Sequence, residues 1–322
     1  MMRSALVAAL CTAASLLAQD PSPAAPAAPV TPTLPAAGSP EATALLDKAI
    51  GKMQAYGRGE FSTTESSDNA MLRGQGLPFG DEDTEVAGGW FRELVWGDAD
   101  GKEYVRANGR MVAKVGDEWR LRGSKLPGGR PVPFTLDPDL LFSVLAALPP
   151  EARKVANVEA GEVAGKPVAY LSLALGGDVA AEFAATGVVP TGGGLGGGLM
   201  IFGGGGGMAM PENEYTIYLA FAVDADSGDL RRFTAKVFDV NPMMGNVQIQ
   251  IGGGGGDEEE EVVVEEEKPA PEGAPMVWKK GLPTKKPTKN ESVTTFRADF
   301  KQLGLAEPPA LDDKAKALLR VR

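Results

Sequence analysis

The stretch that decides the fold is EYVRANGRMVAKVGDEWRLR, residues 103–122. Asn108-Gly109 and Gly116-Asp117 separate short segments of strand composition within it, and Asp100-Gly101 stands eight residues before Asn108-Gly109. Such dipeptides favour the two-residue turns that match the twist of paired strands. Residues 85–123 are therefore predicted to form an antiparallel meander.

The last segment of this stretch shows how the meander is buried. Trp119 and Leu121 alternate with Arg120 and Arg122. Successive side chains of a strand point to opposite faces of the sheet. The pattern predicts one buried face and one face in contact with water.

Helices are predicted before and after the meander. Ser39 can cap a helix with Pro40 in its first turn, and apolar residues recur on one face of that helix at Leu45, Leu46, Ala49, Ile50 and Met53. A second helix is predicted over residues 137–145, with Pro149-Pro150 ending it, and a short closing helix over residues 311–319.

Most of the remaining chain has strand character. Residues 155–175 and 214–240 each read as two strands joined by a turn, at Gly165-Lys166 and at 226–228, and a last strand starts at Val293. Strands that follow strands, with few helices between them, imply an antiparallel sheet with helices packed on one face. The predicted fold class is α+β.

The order of these elements resembles a known family. A helix, a meander with NGR and GDEWRL, a helix beginning LDPDLL, then VAGKPVAYLSLAL, VDADSGDLRRFTAKV and TFRADFKQLG together look like the periplasmic lipoprotein carriers of the LolA and LppX type. The resemblance covers residues 41–185 and 213–319. It implies a single curved antiparallel sheet, a half-barrel, wrapped around helices 41–55 and 138–148 with an apolar cavity for acyl chains. We expect roughly eight to eleven strands of ordinary length.

The N-terminus predicts export. Arg3 precedes an apolar run, so residues 1–18 resemble a secretory signal peptide, and residues 19–40 are a Pro/Ala-rich sequence expected to be a disordered tether. One β-rich domain is predicted over residues 41–322. The only cysteine, Cys11, lies in the signal peptide, so the mature chain should have no disulfide, acyl anchor or transmembrane segment.

Two Gly-rich, low-complexity insertions are predicted, at residues 187–212 and 252–290. In the first, TGGGLGGGLMIFGGGGGMAM, residues 191–210, eleven glycines are interleaved with Leu199, Phe202, Met208 and other apolar residues. An apolar Gly-rich segment is either loop expansion or a contact surface. The functional reading is a flap over a ligand, and deletion of residues 192–207 is expected to leave the melting temperature within a few degrees of the parent.

Composition limits the chemistry. The formal net charge is −11, and it becomes −12 when the signal peptide is removed together with Arg3, which argues against nucleic acid and anionic lipid surfaces as partners. There is no histidine, so the usual nucleophilic triads and the commonest metal ligand are absent, and we expect no cofactor and no metal. Asp226-Ser227-Gly228 matches aspartic proteases, but a hairpin turn explains the same residues.

Three functions remain open. The first is an exported, non-enzymatic carrier, periplasmic or extracellular, that shelters a lipid or other apolar ligand; the second is a module that binds another envelope protein; the third is a carboxylate-dependent hydrolase. Core or cavity positions are predicted at Trp90, Phe91, Trp96, Trp119, Phe142 and Phe296. The candidate ligand-binding residues, in the cavity or its lid, are Trp90, Trp96, Trp119, Phe142, Leu199, Phe202 and Met208.

Overall fold

A computed structural model describes residues 34–68, 70, 84–99, 101–122, 135–191, 214–240, 276–288 and 290–321. All of them belong to one compact unit, Leu34–Arg322. The described helices are α1 (Pro40–Tyr56), α2 (Pro138–Ala147), α3 (Gly177–Ala185) and α4 (Asp313–Leu319). The described strands are β1 (Arg58–Asp68), β2 (Thr84–Phe91), β3 (Leu94–Ala99), β4 (Lys102–Ala107), β5 (Arg110–Val115), β6 (Glu118–Arg122), β7 (Asn157–Val163), β8 (Lys166–Gly176), β9 (Glu214–Asp224), β10 (Leu230–Val240), β11 (Trp278–Lys279), β12 (Leu282–Pro283) and β13 (Glu291–Lys301).

The predicted meander is confirmed. Asn108 and Gly109 have φ angles of 50° and 67°, so the β4–β5 connection uses the left-handed backbone that Asn and Gly tolerate best. Strand β4 pairs with β5 and β5 with β6, both antiparallel. The turns at Asn108-Gly109 and Gly116-Asp117 therefore connect antiparallel strands, as the sequence predicted.

Eleven of the described strands form one antiparallel sheet. Their order is β6-β5-β4-β3-β2-β1-β13-β10-β9-β8-β7, so the C-terminal strand β13 lies in the middle, beside β1. Strands β6 and β7 are the two edges and do not pair with each other, so the sheet stays open. The predicted α+β half-barrel, with one antiparallel sheet, is confirmed.

Helices α1, α2 and α3 pack on one face of the sheet, which we call the helix face. Helix α1 contacts α2 and strands β9 and β10, whereas α3 contacts β8 and β9. Ser39 caps α1, as expected, because its side chain accepts a hydrogen bond from the Ala42 amide at 3.2 Å. One apolar cluster fills this layer, and its members include Leu46, Ile50, Met53, Phe61, Trp90, Leu141, Phe142, Leu145, Phe183, Phe221, Phe233, Phe296 and Phe300.

The opposite face of the sheet is also covered. Helix α4 packs on β5 and β6, where Ala315 and Leu319 join a cluster with Val105, Val112 and Trp119. Over the other half of the sheet lies the β11–β12 hairpin, which packs Trp278 and Leu282 against Tyr218, Phe238 and Val293. This hairpin falls in the segment 252–290 that was predicted to be a low-complexity insertion, so residues 276–288 of that segment are part of the packed domain.

Glycines let large aromatic rings lie flat against neighbouring strands. A Cβ atom built on Gly59 would fall 2.3 Å from the Trp90 ring, and one on Gly97 would fall 2.4 Å from the Tyr104 hydroxyl. Distances this short leave room for hydrogen alone, so both positions require glycine. The rings therefore occupy the space that side chains at these positions would have used.

Candidate functional site

Two of the predicted ligand-binding residues lie in the core of the helix face. Trp90 and Phe142 are fully buried, and both rings pack around Phe300, with centroids 5.9 Å and 6.4 Å from its ring. Phe61 stacks on the other side of Trp90. These contacts are protein to protein, so Trp90 and Phe142 stabilise the layer between helices and sheet.

The other two predicted tryptophans lie on the opposite face. Trp96 and Trp119 belong to the cluster under α4. The structure therefore brings Trp90 and Phe142 together, and Trp96 and Trp119 together, but it separates the two pairs by the thickness of the sheet. Leu199, Phe202 and Met208 lie outside the described residues, so the lid stays a prediction.

The helix face carries a cavity of its own at one end, with a volume of about 430 Å³. Volumes of this size are typical of small-molecule sites. We call it the helix-side cavity. The residues that line it come from the β2–β3 and β4–β5 turns, the start of α2 and the end of α3: Glu93, Val95, Arg106, Ala107, Asn108, Gly109, Arg110, Thr135, Asp137, Leu140, Thr186 and Gly187.

Two arginines line this cavity, and of these Arg106 is exposed while Arg110 donates a hydrogen bond to the Leu318 carbonyl. The register places Arg106 opposite Val95 on β3 and Met111 on β5, so it shares the helix face with the apolar side chains around it. No hydrogen bond or ion pair holds its guanidinium within the part of the chain that the structure describes. A charged group beside apolar side chains suits a ligand that has both an anionic and an apolar part.

A buried pair of hydroxyls lies behind Arg106. The hydroxyl oxygens of Tyr104 and Thr135 are 2.6 Å apart, and both residues are buried. Burial raises the pKa of Tyr104, so its phenol stays neutral at physiological pH. The pair fixes Thr135, which lines the cavity just before α2 begins.

The walls of the helix-side cavity are held by capping interactions. The Asp137 side chain accepts a hydrogen bond from the Leu140 amide at 3.0 Å and caps α2. Leu140 itself is 43 % exposed at the cavity. On the other wall, Asn108 donates to the carbonyl oxygens of Leu319 and Arg320, at 3.3 Å and 3.2 Å. The β4–β5 turn is thus tied to the end of α4.

Two carboxylates in the β9–β10 turn have a structural role. Asp224 accepts two hydrogen bonds from the Arg231 guanidinium, at 3.0 Å and 2.9 Å, and its other oxygen accepts the amides of Asp226 and Ser227. Burial alone would raise the pKa of Asp224, but the Ser227 amide, Arg231 and the Asp226 amide outweigh it and lower the pKa to about 2. The residues 226–228 therefore form a hairpin turn, as the sequence indicated.

Asp229 connects the same turn to α1. It accepts hydrogen bonds from Lys52 at 2.7 Å and from the Tyr56 hydroxyl at 2.9 Å. Burial acts to raise the pKa of Asp229, and the hydrogen bonds from Lys52, Ser227 and Tyr56 lower it overall. Carboxylates with lowered pKa values and bound cations are poor general acids at neutral pH.

Among the described residues there is no group of three or more carboxylate or thiol side chains that could hold a metal ion. None of the helices in the described ranges combines the length and apolar composition that a bilayer crossing needs.

Sequence reasoning missed Arg106, Thr135 and Leu140 as site residues. The alternation in EYVRA shows that Tyr104 and Arg106 share a face, but it does not show which face meets the helices. That depends on the β2–β3 hairpin, whose turn lies at Arg92 with a φ angle of 52° and has no Gly or Asn to mark it. The sequence alone therefore does not show which face of β4 packs against the helices.

Comparisons with known proteins return few matches. No protein-family model and no curated protein sequence matches the chain. Among solved structures, LprF from Mycobacterium bovis is 14 % identical, with 87 % of this chain and 100 % of LprF covered and a TM-score of 0.36. The Mycobacterium tuberculosis lipoprotein LppX is 8 % identical, with 85 % of this chain and 100 % of LppX covered and a TM-score of 0.30.

Both structures are of the LolA and LppX type that the order of elements in the sequence resembled. At such identities and TM-scores the likeness carries no argument about a ligand or an activity. The functional assignment rests on the geometry of the chain itself.

Proposed function

We propose that this chain is an exported, non-enzymatic binding protein that holds an amphipathic ligand with an anionic head group in the helix-side cavity. The observation that carries the proposal is the cavity of about 430 Å³ in which Arg106 stands beside Val95 and Leu140. Export rests on the signal-peptide pattern of residues 1–18. A fatty acid or an anionic lipid has the required combination of charge and apolar chain.

The ligand would make two kinds of contact in the helix-side cavity, one apolar and one charged. The apolar part of the ligand would lie against Leu140, the apolar lining residue that is 43 % exposed, where removal of apolar area from water favours binding. The guanidinium of Arg106 would bind the carboxylate or phosphate through two parallel hydrogen bonds. This arrangement needs no movement of the packed Trp90 and Phe142 core.

Titration with a fluorescent fatty acid tests the proposal. The informative variant is Leu140→Glu, because position 140 lies in the first turn of α2, where an acidic side chain favours the helix. It places a negative charge at the cavity wall and should weaken binding by at least about tenfold. Leu121→Glu is the matched control, since Leu121 is 52 % exposed on β6 and does not line the cavity.

A second comparison tests the role of the head group. Arg106→Gln should weaken fatty-acid binding by about tenfold, while a neutral long-chain alcohol should bind parent and variant alike. Equal affinities of parent, Leu140→Glu and Leu121→Glu for the fatty acid, or no saturable binding by the parent, would contradict the proposal.

A further inference from the structure

The opposite face of the sheet carries a second cavity, of about 410 Å³. It lies between strands β1 to β4 and the segment with Glu307 and Pro309 that leads into α4, and we call it the tail groove. Ala87 lies in its floor, and Gly88 and Gly97 border it with their backbone, since a Cβ atom on either glycine would point at the Phe61 or the Tyr104 ring. A ligand can thus approach the backbone of the sheet closely.

Tryptophan rings form the walls of the tail groove. The Trp96 ring lies against Gly89, where a Cβ atom would fall 2.4 Å from Trp96 Cζ2, and the half-buried indole borders the groove. Trp119 borders it from β6 and is 5 % exposed. Indole faces carry the strongest attraction for cations among the aromatic side chains.

The charges around the groove have one predominant sign. Glu60, Asp98, Glu103 and Glu307 line it, and Lys301 is its single lining cation. Asp98 and Glu103 are cross-strand neighbours on β3 and β4, so two carboxylates face the groove side by side. Lys114 already neutralises Glu103 at 3.1 Å. Asp98, in contrast, has no ion pair among the described residues and accepts only the Gly101 amide, so Asp98 is the carboxylate left for a bound cation.

A lysine of the protein itself already contacts two residues of the tail groove. Lys114 places its Nζ atom 6.0 Å from the centre of the Trp119 ring and 3.1 Å from Glu103 Oε2. One tryptophan and one carboxylate of the groove therefore hold an ammonium group between them. Trp96 and Asp98 offer the same pair of groups, and no described side chain places a cation over the Trp96 ring.

We propose that the tail groove binds an organic cation of the quaternary-ammonium class, with its charged head against Trp96 and Asp98. A trimethylammonium group is weakly hydrated, so it loses little by leaving water, and its methyl groups can contact the Trp96 ring and Ala87. This site is separate from the helix-side cavity, on the other face of the sheet, and does not depend on the proposed function.

Choline is the probe, and its neutral isostere 3,3-dimethyl-1-butanol is the control for charge. In a ¹H–¹⁵N titration of the full chain, we expect choline to shift the indole signals of Trp96 and Trp119 saturably and to leave that of Trp90 unchanged. The isostere should bind at least about tenfold more weakly. Vesicles of phosphatidylcholine and of phosphatidylglycerol then show whether a lipid head group is a source of the cation.

Matched variants assign the effect to residues. Asp98→Asn keeps an acceptor for the Gly101 amide, which Asp98 binds at 2.8 Å, but removes the charge, and Trp96→Phe keeps an apolar ring with a weaker attraction for cations. Each should weaken choline binding by about three- to tenfold. Glu118→Gln, an exposed carboxylate outside the groove, should leave it unchanged.

Three results would overturn the proposal. They are equal binding of choline and its neutral isostere, no saturable shift of Trp96 at millimolar choline, and full binding by both Asp98→Asn and Trp96→Phe. Binding of a basic peptide by this face in the absence of choline binding would likewise reject the quaternary-ammonium class.

Discussion

At the scale of single residues, replacing glycine by alanine should change the free energy of unfolding in opposite directions at two positions. Gly97→Ala would push a methyl group to 2.4 Å from the buried Tyr104 hydroxyl, whereas Gly51 lies in α1 with no atom within 4 Å of an added Cβ. We expect Gly97→Ala to lower the free energy of unfolding by about 1–3 kcal/mol. Gly51→Ala should raise it by about 0.5–1 kcal/mol, since alanine favours the helix interior.

Urea unfolding at neutral pH measures both variants under the same conditions. Changes of the same sign would contradict the contact argument. A Gly97→Ala variant as stable as the parent would show that the Tyr104 ring can move away from β3.

Asp224 predicts a dependence of stability on pH. Its pKa of about 2 in the folded chain lies below the ordinary aspartate value, so its interactions stabilise the fold above about pH 4, and this contribution is lost as the pH falls towards 2. Asp224→Asn should lower the free energy of unfolding by about 1–2 kcal/mol at pH 7, because the contact with Arg231 loses its charge.

The pH profile checks the sign of this effect. The difference between parent and Asp224→Asn should shrink as the pH is lowered from 4 to 2. Glu118→Gln is the control, since its ion pair with Arg120 is exposed and should contribute little at any pH. A constant difference across this range would contradict the assignment to the Asp224 carboxylate.

At the scale of elements, the β11–β12 hairpin depends on Gly281. Its φ angle is +76°, its carbonyl accepts a hydrogen bond from Ser172 at 2.7 Å, and a Cβ atom there would fall 2.8 Å from that of Ala220. Gly281→Ala should loosen the hairpin and make trypsin cleavage after Lys279 and Lys280 about tenfold faster.

Gly165→Ala is the matched control for this prediction. Gly165 has a similar φ angle, +77°, in the β7–β8 turn, but no atom lies within 4 Å of an added Cβ. Mass spectrometry of the fragments should show unchanged cleavage at Lys279 and Lys280 in this variant. Faster cleavage in both variants would mean that general destabilisation of the domain, and not the contact with Ala220, exposes the hairpin.

Elements marked by turn chemistry or by caps could be predicted from the sequence. The meander follows from Asn108-Gly109 and its neighbours, and α1 follows from Ser39 and Pro40. Helix α3 was missed because it starts directly after β8, at Gly177, with no side-chain cap at Gly176. The β11–β12 hairpin was missed because it depends on contacts with distant residues such as Ser172 and Glu159.

At the scale of the whole molecule, the candidate sites were harder to predict than the sheet. Period-two alternation groups residues by face, but only the folded topology shows that Trp90 and Trp96 lie on opposite faces. Arg106 becomes a site residue only when α2 and α3 are placed over the end of the sheet. Both cavities are formed by elements that are distant in sequence, which local patterns do not record.

The two faces of the molecule also differ in charge. Two arginines and two carboxylates line the helix-side cavity, whereas four carboxylates and one lysine line the tail groove. The sheet separates them, so each site can be tested without the other. A ligand of the wrong charge serves as a control for each.

The central claim is that an anionic amphiphile occupies the helix-side cavity, and a spin-labelled fatty acid tests it most directly. Paramagnetic broadening of assigned NMR signals reports which residues lie near the label. We predict broadening at Val95, Asp137 and Leu140, which line the cavity, with Trp278 on the distant β11–β12 hairpin unaffected. Broadening confined to Trp96 and Trp119, or no residue-specific broadening at saturating ligand, would contradict the account.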